Sequence, residues 1–159
     1  MPIITIGIGE WSVSRNAEDL LKTYALGSCV AVAIYDSTHR VGGMVHVALP
    51  DSSIDPERAV AMPGYFADTG LALMIEAMKK LGSSRRDVWV KLAGGAQTMD
   101  PDGLFDIGKR NILAVKKTLW KSSLGPVAED CGGTISRTVS MRIDTGEISV
   151  STGTVSRIL

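Results

Sequence analysis

Two side chains in this sequence could together break an acyl bond. One is the thiol of Cys29, in Leu26-Gly27-Ser28-Cys29-Val30; the other is the imidazole of His46, seventeen residues later in Gly43-Met44-Val45-His46-Val47. A thiol and an imidazole are the least equipment that nucleophilic acyl transfer requires. A free thiol is mostly protonated at neutral pH, and a neighbouring imidazole can lower its pKa and hold the thiolate. The same ring can later protonate a leaving group and activate water. Gly27 and Ser28 make a bend ahead of the nucleophile, where backbone N–H groups can bind a tetrahedral oxyanion. Thr23 can orient the imidazole through its hydroxyl or its carbonyl, the third role of a triad.

Those residues need elements to hold them. From Ser28 to Tyr35 the chain is apolar on both alternating faces, with Cys29, Ala31, Ala33 and Tyr35 on one and Val30, Val32 and Ile34 on the other. This is the pattern of a strand covered on two sides. Polar turn residues follow, and Val41 to Leu49 reads as the returning strand. A symmetric four-residue loop over Asp36 to His39 sets Cys29 directly opposite His46, with Cβ atoms about 4.5–5.5 Å apart on one face. One residue more or less in the loop breaks that register. Taken singly, a cysteine among Val and Ala is an ordinary small core residue. Its conjunction with His46 beside a glycine bend sets the chemical reading level with the packing one.

The remaining elements follow from periodicity. Ile3 to Ile8, Glu10 to Ser14, Asp87 to Ala93, Val127 to Cys131, Ile135 to Ile143 and Glu147 to Ser151 read as strands, the last two joined by the Asp144-Thr145-Gly146 turn. Asn16 to Lys22 reads as a loop or single helical turn. Ala67, Leu71, Met74, Ile75, Met78 and Leu81 recur at helical spacing before a stop at Gly82, and Ile112, Val115 and Leu119 mark a second helix over Ile107 to Lys121. Strands gather at both ends instead of alternating with helices. The expected fold is therefore a one-domain α+β layered sandwich, with a mixed, largely antiparallel sheet and two main helices. Gly7-Ile8-Gly9 lacks the third glycine of a dinucleotide fingerprint.

Composition narrows the function. The 159 residues carry seventeen basic and seventeen acidic side chains, with no basic stripe of the kind nucleic acid or an anionic membrane needs. Met-Pro-Ile-Ile-Thr is no secretory signal, and no apolar run approaches a membrane span. Cys29 and Cys131 are too few and too scattered for a disulfide framework or a zinc site. A cytoplasmic, reduced protein with no membrane insertion is expected. Cys131 reads as structural, His39 as solvated, and Trp11, Trp89 and Trp120 as packing the core or its edges.

Six short runs, in order along the chain, resemble the chemoreceptor glutamine deamidases, the CheD family. They are Gly7-Ile8-Gly9-Glu10, Leu26-Gly27-Ser28-Cys29-Val30, His46-Val47-Ala48-Leu49-Pro50, Gly94-Gly95-Ala96, Ile107-Gly108-Lys109-Arg110-Asn111 and Asp130-Cys131-Gly132-Gly133. The resemblance spans residues 1–159 and implies a cysteine amidohydrolase of bacterial or archaeal chemotaxis. Such an enzyme converts glutamine side chains on the cytoplasmic helices of methyl-accepting chemoreceptors to glutamate. It implies a catalytic triad of Cys29, His46 and Thr23, no metal or organic cofactor, and a fold like that of toxins that deamidate host GTPases. It also implies a second partner, a CheC-type phosphatase of the response regulator. Hydrolysis of receptor glutamyl methyl esters through the same thioester is the alternative chemistry, and service mainly as a phosphatase-binding module the alternative of another class. Two departures from the family pattern stand out, Tyr24-Ala25 after the threonine and Ser136 ahead of Arg137.

Overall fold

Val30, Val32 and Ile34 point one way and Ala31, Ala33 and Tyr35 the other along β4 (Val30–Asp36). Every residue of β4 and of its antiparallel partner β5 (Val41–Val47) is buried. Burial on both faces requires a cover on each. The computed structural model, which describes residues 1–84, 86–97 and 105–159, supplies both covers.

The middle layer is a five-stranded sheet in which β5 lies between β4 and β2 (Trp11–Ser14), and β6 (Val88–Gly94) lies between β4 and β7 (Pro126–Cys131). One face packs on two helices, α2 (Ala67–Lys80) and α3 (Ile107–Lys121); a short helix over Pro56–Ala61 precedes them. Leu71, Met74 and Met78 of α2 and Val115 and Leu119 of α3 meet Val30, Val32 and Val45 there. The other face packs on a second five-stranded sheet, in the order β1 (Ile3–Thr5), β3 (Leu20–Leu26), β8 (Arg137–Arg142), β9 (Ile148–Thr152) and β10 (Val155–Ile158). Leu21, Val139, Met141 and Val150 fill that interface against Ala31, Ala33, Tyr35 and Met44. The Tyr35 hydroxyl donates to the Ile143 carbonyl across it, at 2.7 Å. Only β1–β3 and β6–β7 pair in parallel among the described strands. The expected layered, mixed and largely antiparallel α+β sandwich is what forms.

Several local expectations fail for identifiable reasons. Residues 20–22, read as loop, begin β3, because Leu21 and Thr23 alternate inward against β8 while the intervening residues face out. Strand β10 shows no buried face, since all four of its residues are exposed; pairing with β9 and the Arg157–Asp130 ion pair at 3.1 Å hold it. Ile135, expected inward, is exposed; Arg137 takes the inner position and pairs with Asp130 at 3.2 Å. Trp120, expected to pack on the core, is 82% exposed on the outer face of α3. His39, expected in solvent, bonds its ring to the buried Asp36 carboxylate at 2.9 Å.

The hairpin register also differs. Asp36 still pairs with Val41, so the four-residue loop is Ser37 to Arg40, one residue later than expected. His46 therefore stands opposite Ala31 and not opposite Cys29. The sequence hides this because Asp36 looks like a turn residue, yet its carboxylate collects enough donors to be buried within the strand.

Candidate functional site

Thr23 and His46 meet between the two sheets. Thr23 is on β3 of the outer sheet, His46 on β5 of the middle one, and both are buried. The Thr23 Oγ1 lies 2.7 Å from His46 Nδ1 and 2.6 Å from the Ile6 carbonyl oxygen. A carbonyl only accepts, so the single hydroxyl proton goes to Ile6 and the Thr23 oxygen must accept from Nδ1–H. That chain of bonds fixes the tautomer and leaves the Nε2 lone pair bare. Nε2 is buried and has no hydrogen-bond partner among the described residues. Of the two ways the sequence left open for Thr23 to orient the ring, the structure takes the hydroxyl.

Cys29 sits one residue before β4. It is two positions from Ala31, the residue opposite His46, so it lies on the same face and packs with the inter-sheet core. Diagonal neighbours on one face of an antiparallel pair are within reach of a long or ring side chain. No hydrogen bond joins the thiol to Nε2 in this state. Burial pushes the Cys29 thiol up to about 11 and pulls His46 down to about 4. At neutral pH the pair is therefore a neutral thiol beside a neutral imidazole, not a preformed ion pair; desolvation opposes charge on both groups.

The bend before the nucleophile is held from three sides. The Gly27 carbonyl accepts from Ala96 N–H at 2.8 Å, the Cys29 carbonyl from Gly95 N–H at 2.8 Å, and the Ser28 carbonyl from the Asn111 side-chain amide at 2.9 Å. The N–H groups of Gly27, Ser28 and Cys29 find no acceptor among the described residues. Gly94 makes this approach possible. Its φ of +115° and a notional Cβ 2.2 Å from the Cys29 carbonyl oxygen exclude any side chain. Arg137 Nη1 donates to the Gly94 carbonyl at 3.4 Å, tying the outer sheet to this strap.

Between Thr23 and the bend lies a β-bulge. Thr23 pairs with Val139 but Leu26 with Arg137, so Tyr24-Ala25 carries one extra residue, and Ala25 takes a left-handed φ of 55°. The first sequence departure thus falls within the bulge of β3, between Thr23 and the nucleophile loop. Ser136, the second, is an exposed residue just before β8. Cys131 packs on the helix side of the middle sheet, away from Cys29, and burial raises its thiol to about 11 as well. Among the described residues no three His, Cys, Asp or Glu side chains converge to hold a metal ion.

Asn111 is the residue that sequence reasoning passed over. It is fully buried on α3, and its amide also donates to the Ala48 carbonyl at 3.0 Å. The available signal was its place on the inner stripe of that helix, with Gly108, Val115 and Leu119, where a polar residue is out of pattern.

Comparison with known proteins places the chain among relatives that match most of its length. Residues 48–152 match the family model described as CheD chemotactic sensory transduction. A protein of Syntrophotalea carbinolica named "Probable chemoreceptor glutamine deamidase CheD" is 51% identical over 153 residues, covering 95% of this chain and 94% of the relative. "Chemoreceptor glutamine deamidase CheD" of Thermotoga maritima is 41% identical over 145 residues, 91% of this chain and 88% of its own. A relative from Thermococcus kodakarensis, also named a probable chemoreceptor glutamine deamidase CheD, is 39% identical over 158 residues, 96% of each chain.

Proposed function

The chain belongs to the CheD family, and from that premise we propose that it hydrolyses chemoreceptor glutamine side chains to glutamate and ammonia, with Cys29 as nucleophile. His46 is the general base and acid, and Thr23 holds its ring. One observation carries this reading: a buried imidazole whose Nδ1 is fixed by Thr23 keeps an unpartnered Nε2 on the face where the half-buried Cys29 packs. A merely structural histidine would have that nitrogen satisfied.

With thiol and ring both neutral, proton transfer accompanies attack. The Cys29 sulfur adds to the carboxamide carbon as its proton passes to Nε2. The developing oxyanion meets the N–H groups of Ser28 and Cys29. His46 then gives the proton to the departing nitrogen, ammonia leaves, and a γ-glutamyl thioester remains on Cys29. Water surrenders a proton to Nε2 as it attacks, and the expelled sulfur recovers that proton as glutamate is released. Thr23, being neutral, orients the ring without the charge that a carboxylate would add.

The substrates on this reading are the cytoplasmic helices of chemoreceptors, and a CheC-type phosphatase is a second, regulatory partner. No helix among the described residues is long and apolar enough to cross a membrane, and action on cytoplasmic helices puts the enzyme in the cytoplasm. Intact-mass analysis of a receptor cytoplasmic fragment tests the reaction, since each amide converted to acid adds about one dalton. The gain is expected with the native chain, with ammonia and no methanol released, and is abolished by Cys29→Ala. Deamidation that survives this substitution in a folded protein removes Cys29 as nucleophile.

A further inference from the structure

We propose that Asn111 is a positioning residue that aims the oxyanion-binding N–H of Cys29, an inference that rests on the deamidase reading above. The Ser28 carbonyl and the Cys29 N–H belong to one peptide unit. In a trans peptide these two groups point in opposite directions, and the described residues contain no cis bond. Holding the Ser28 oxygen on the α3 side, at 2.9 Å from Asn111 Nδ2, therefore turns the Cys29 N–H away from α3. Hydrogen bonding at the oxygen also polarises the peptide and strengthens its N–H as a donor.

The second proton of the same amide goes to the Ala48 carbonyl at 3.0 Å, two residues after His46. One side chain thus ties the segment that carries the nucleophile to the end of the strand that carries the base. A primary amide on a short stem is the group suited to this, because it offers two N–H donors from one atom. The reverse amide orientation would set Oδ1 against two carbonyl oxygens, so the assignment is fixed by chemistry. Asn111 Oδ1 itself has no partner among the described residues, so a fully buried polar group is kept here although half of it goes unsatisfied. The helix can come this close because Gly108, one turn earlier, has no side chain. A Cβ there would lie 2.4 Å from the Gly95 carbonyl oxygen.

The test pairs two reactions of Cys29 in Asn111→Ala and Asn111→Ser. Deamidation of a receptor fragment passes through an oxyanion; alkylation by iodoacetamide displaces iodide at a saturated carbon and does not. In Asn111→Ala, kcat for deamidation is expected to fall about 10- to 100-fold with KM little changed. Asn111→Ser, which keeps one donor, lies between it and the native chain. Cys29 alkylation stays within about 2-fold of the native rate in both. An unchanged kcat overturns the proposal. So does a parallel loss of both reactions, or failure of both variants to fold, either of which leaves Asn111 a packing role alone. Deamidation by the native chain that proves independent of Cys29 would instead remove the reading on which the inference rests.

Discussion

The β4–β5 hairpin carries a histidine near each end, and the two ends are built on opposite principles. At the turn, the buried Asp36 carboxylate accepts from the N–H groups of Thr38, His39 and Ser84, the Ser83 hydroxyl and the His39 ring. Burial alone would raise its pKa, but the N–H groups of His39 and Ser84, with the His39 ring and Ser83, outweigh that and hold it down to about 2. At the open end, the His46 ring has one hydrogen-bond partner among the described residues, a threonine, and Nε2 has none. By pairing alone, His39 beside a carboxylate is the better acid–base dyad. Yet its carboxylate is saturated with donors, and saturation is what a structural cluster looks like. The reactive end is recognised by the hydrogen-bonding capacity it leaves unspent.

The sharpest way to break this contrast is to remove each histidine in turn. His46→Asn is expected to lower deamidation about 10³-fold, within the range general acid–base groups contribute, whereas His39→Asn leaves the rate within about 2-fold. Equal losses in both would erase the distinction. Next in size is Thr23→Val, which keeps the shape and deletes the hydroxyl. It should lower kcat about 10- to 100-fold by releasing the ring from its orientation, while Cys131→Ala, on the other face of the sheet, leaves kcat unaltered.

The smallest effect concerns stability at the turn. Because the folded pKa of Asp36 lies below its unfolded value, its contribution is fully present above about pH 4 and is lost as pH falls toward about 2. Chemical denaturation should find Asp36→Asn less stable on the order of 2 kcal/mol at pH 7, with the gap closing in acid. A gap independent of pH would mean that packing, not the charge, holds the turn.

The same contrast governs how far the sequence could be read. The two-faced alternation of β4 and the apolar stripes of α2 and α3 are visible because each element's burial is written in its own residues. The register is not, because Asp36 looks like a loop residue until its donors, two of them near residue 84, are in place. Nor does Arg40, in a left-handed φ of 54° without being glycine, announce the end of the loop. Cys29 and His46 stand out by residue type. Thr23 is legible as the residue that orients the ring, but the choice of its hydroxyl over its carbonyl depends on stacking one sheet on the other. The role of Asn111 depends on a helix packed against the far side, so spacing does not reveal it. A polar residue on the inner stripe of α3 was the clue.

Nitrogen-15 NMR of the protein with labelled histidine goes most directly to the state of His46. The geometry gives it a protonated Nδ1 and an unprotonated Nε2 at pH 7, with the ring remaining neutral until the pH approaches about 4. An Nε2–H tautomer, or an imidazolium at neutral pH, would contradict a base held ready for Cys29.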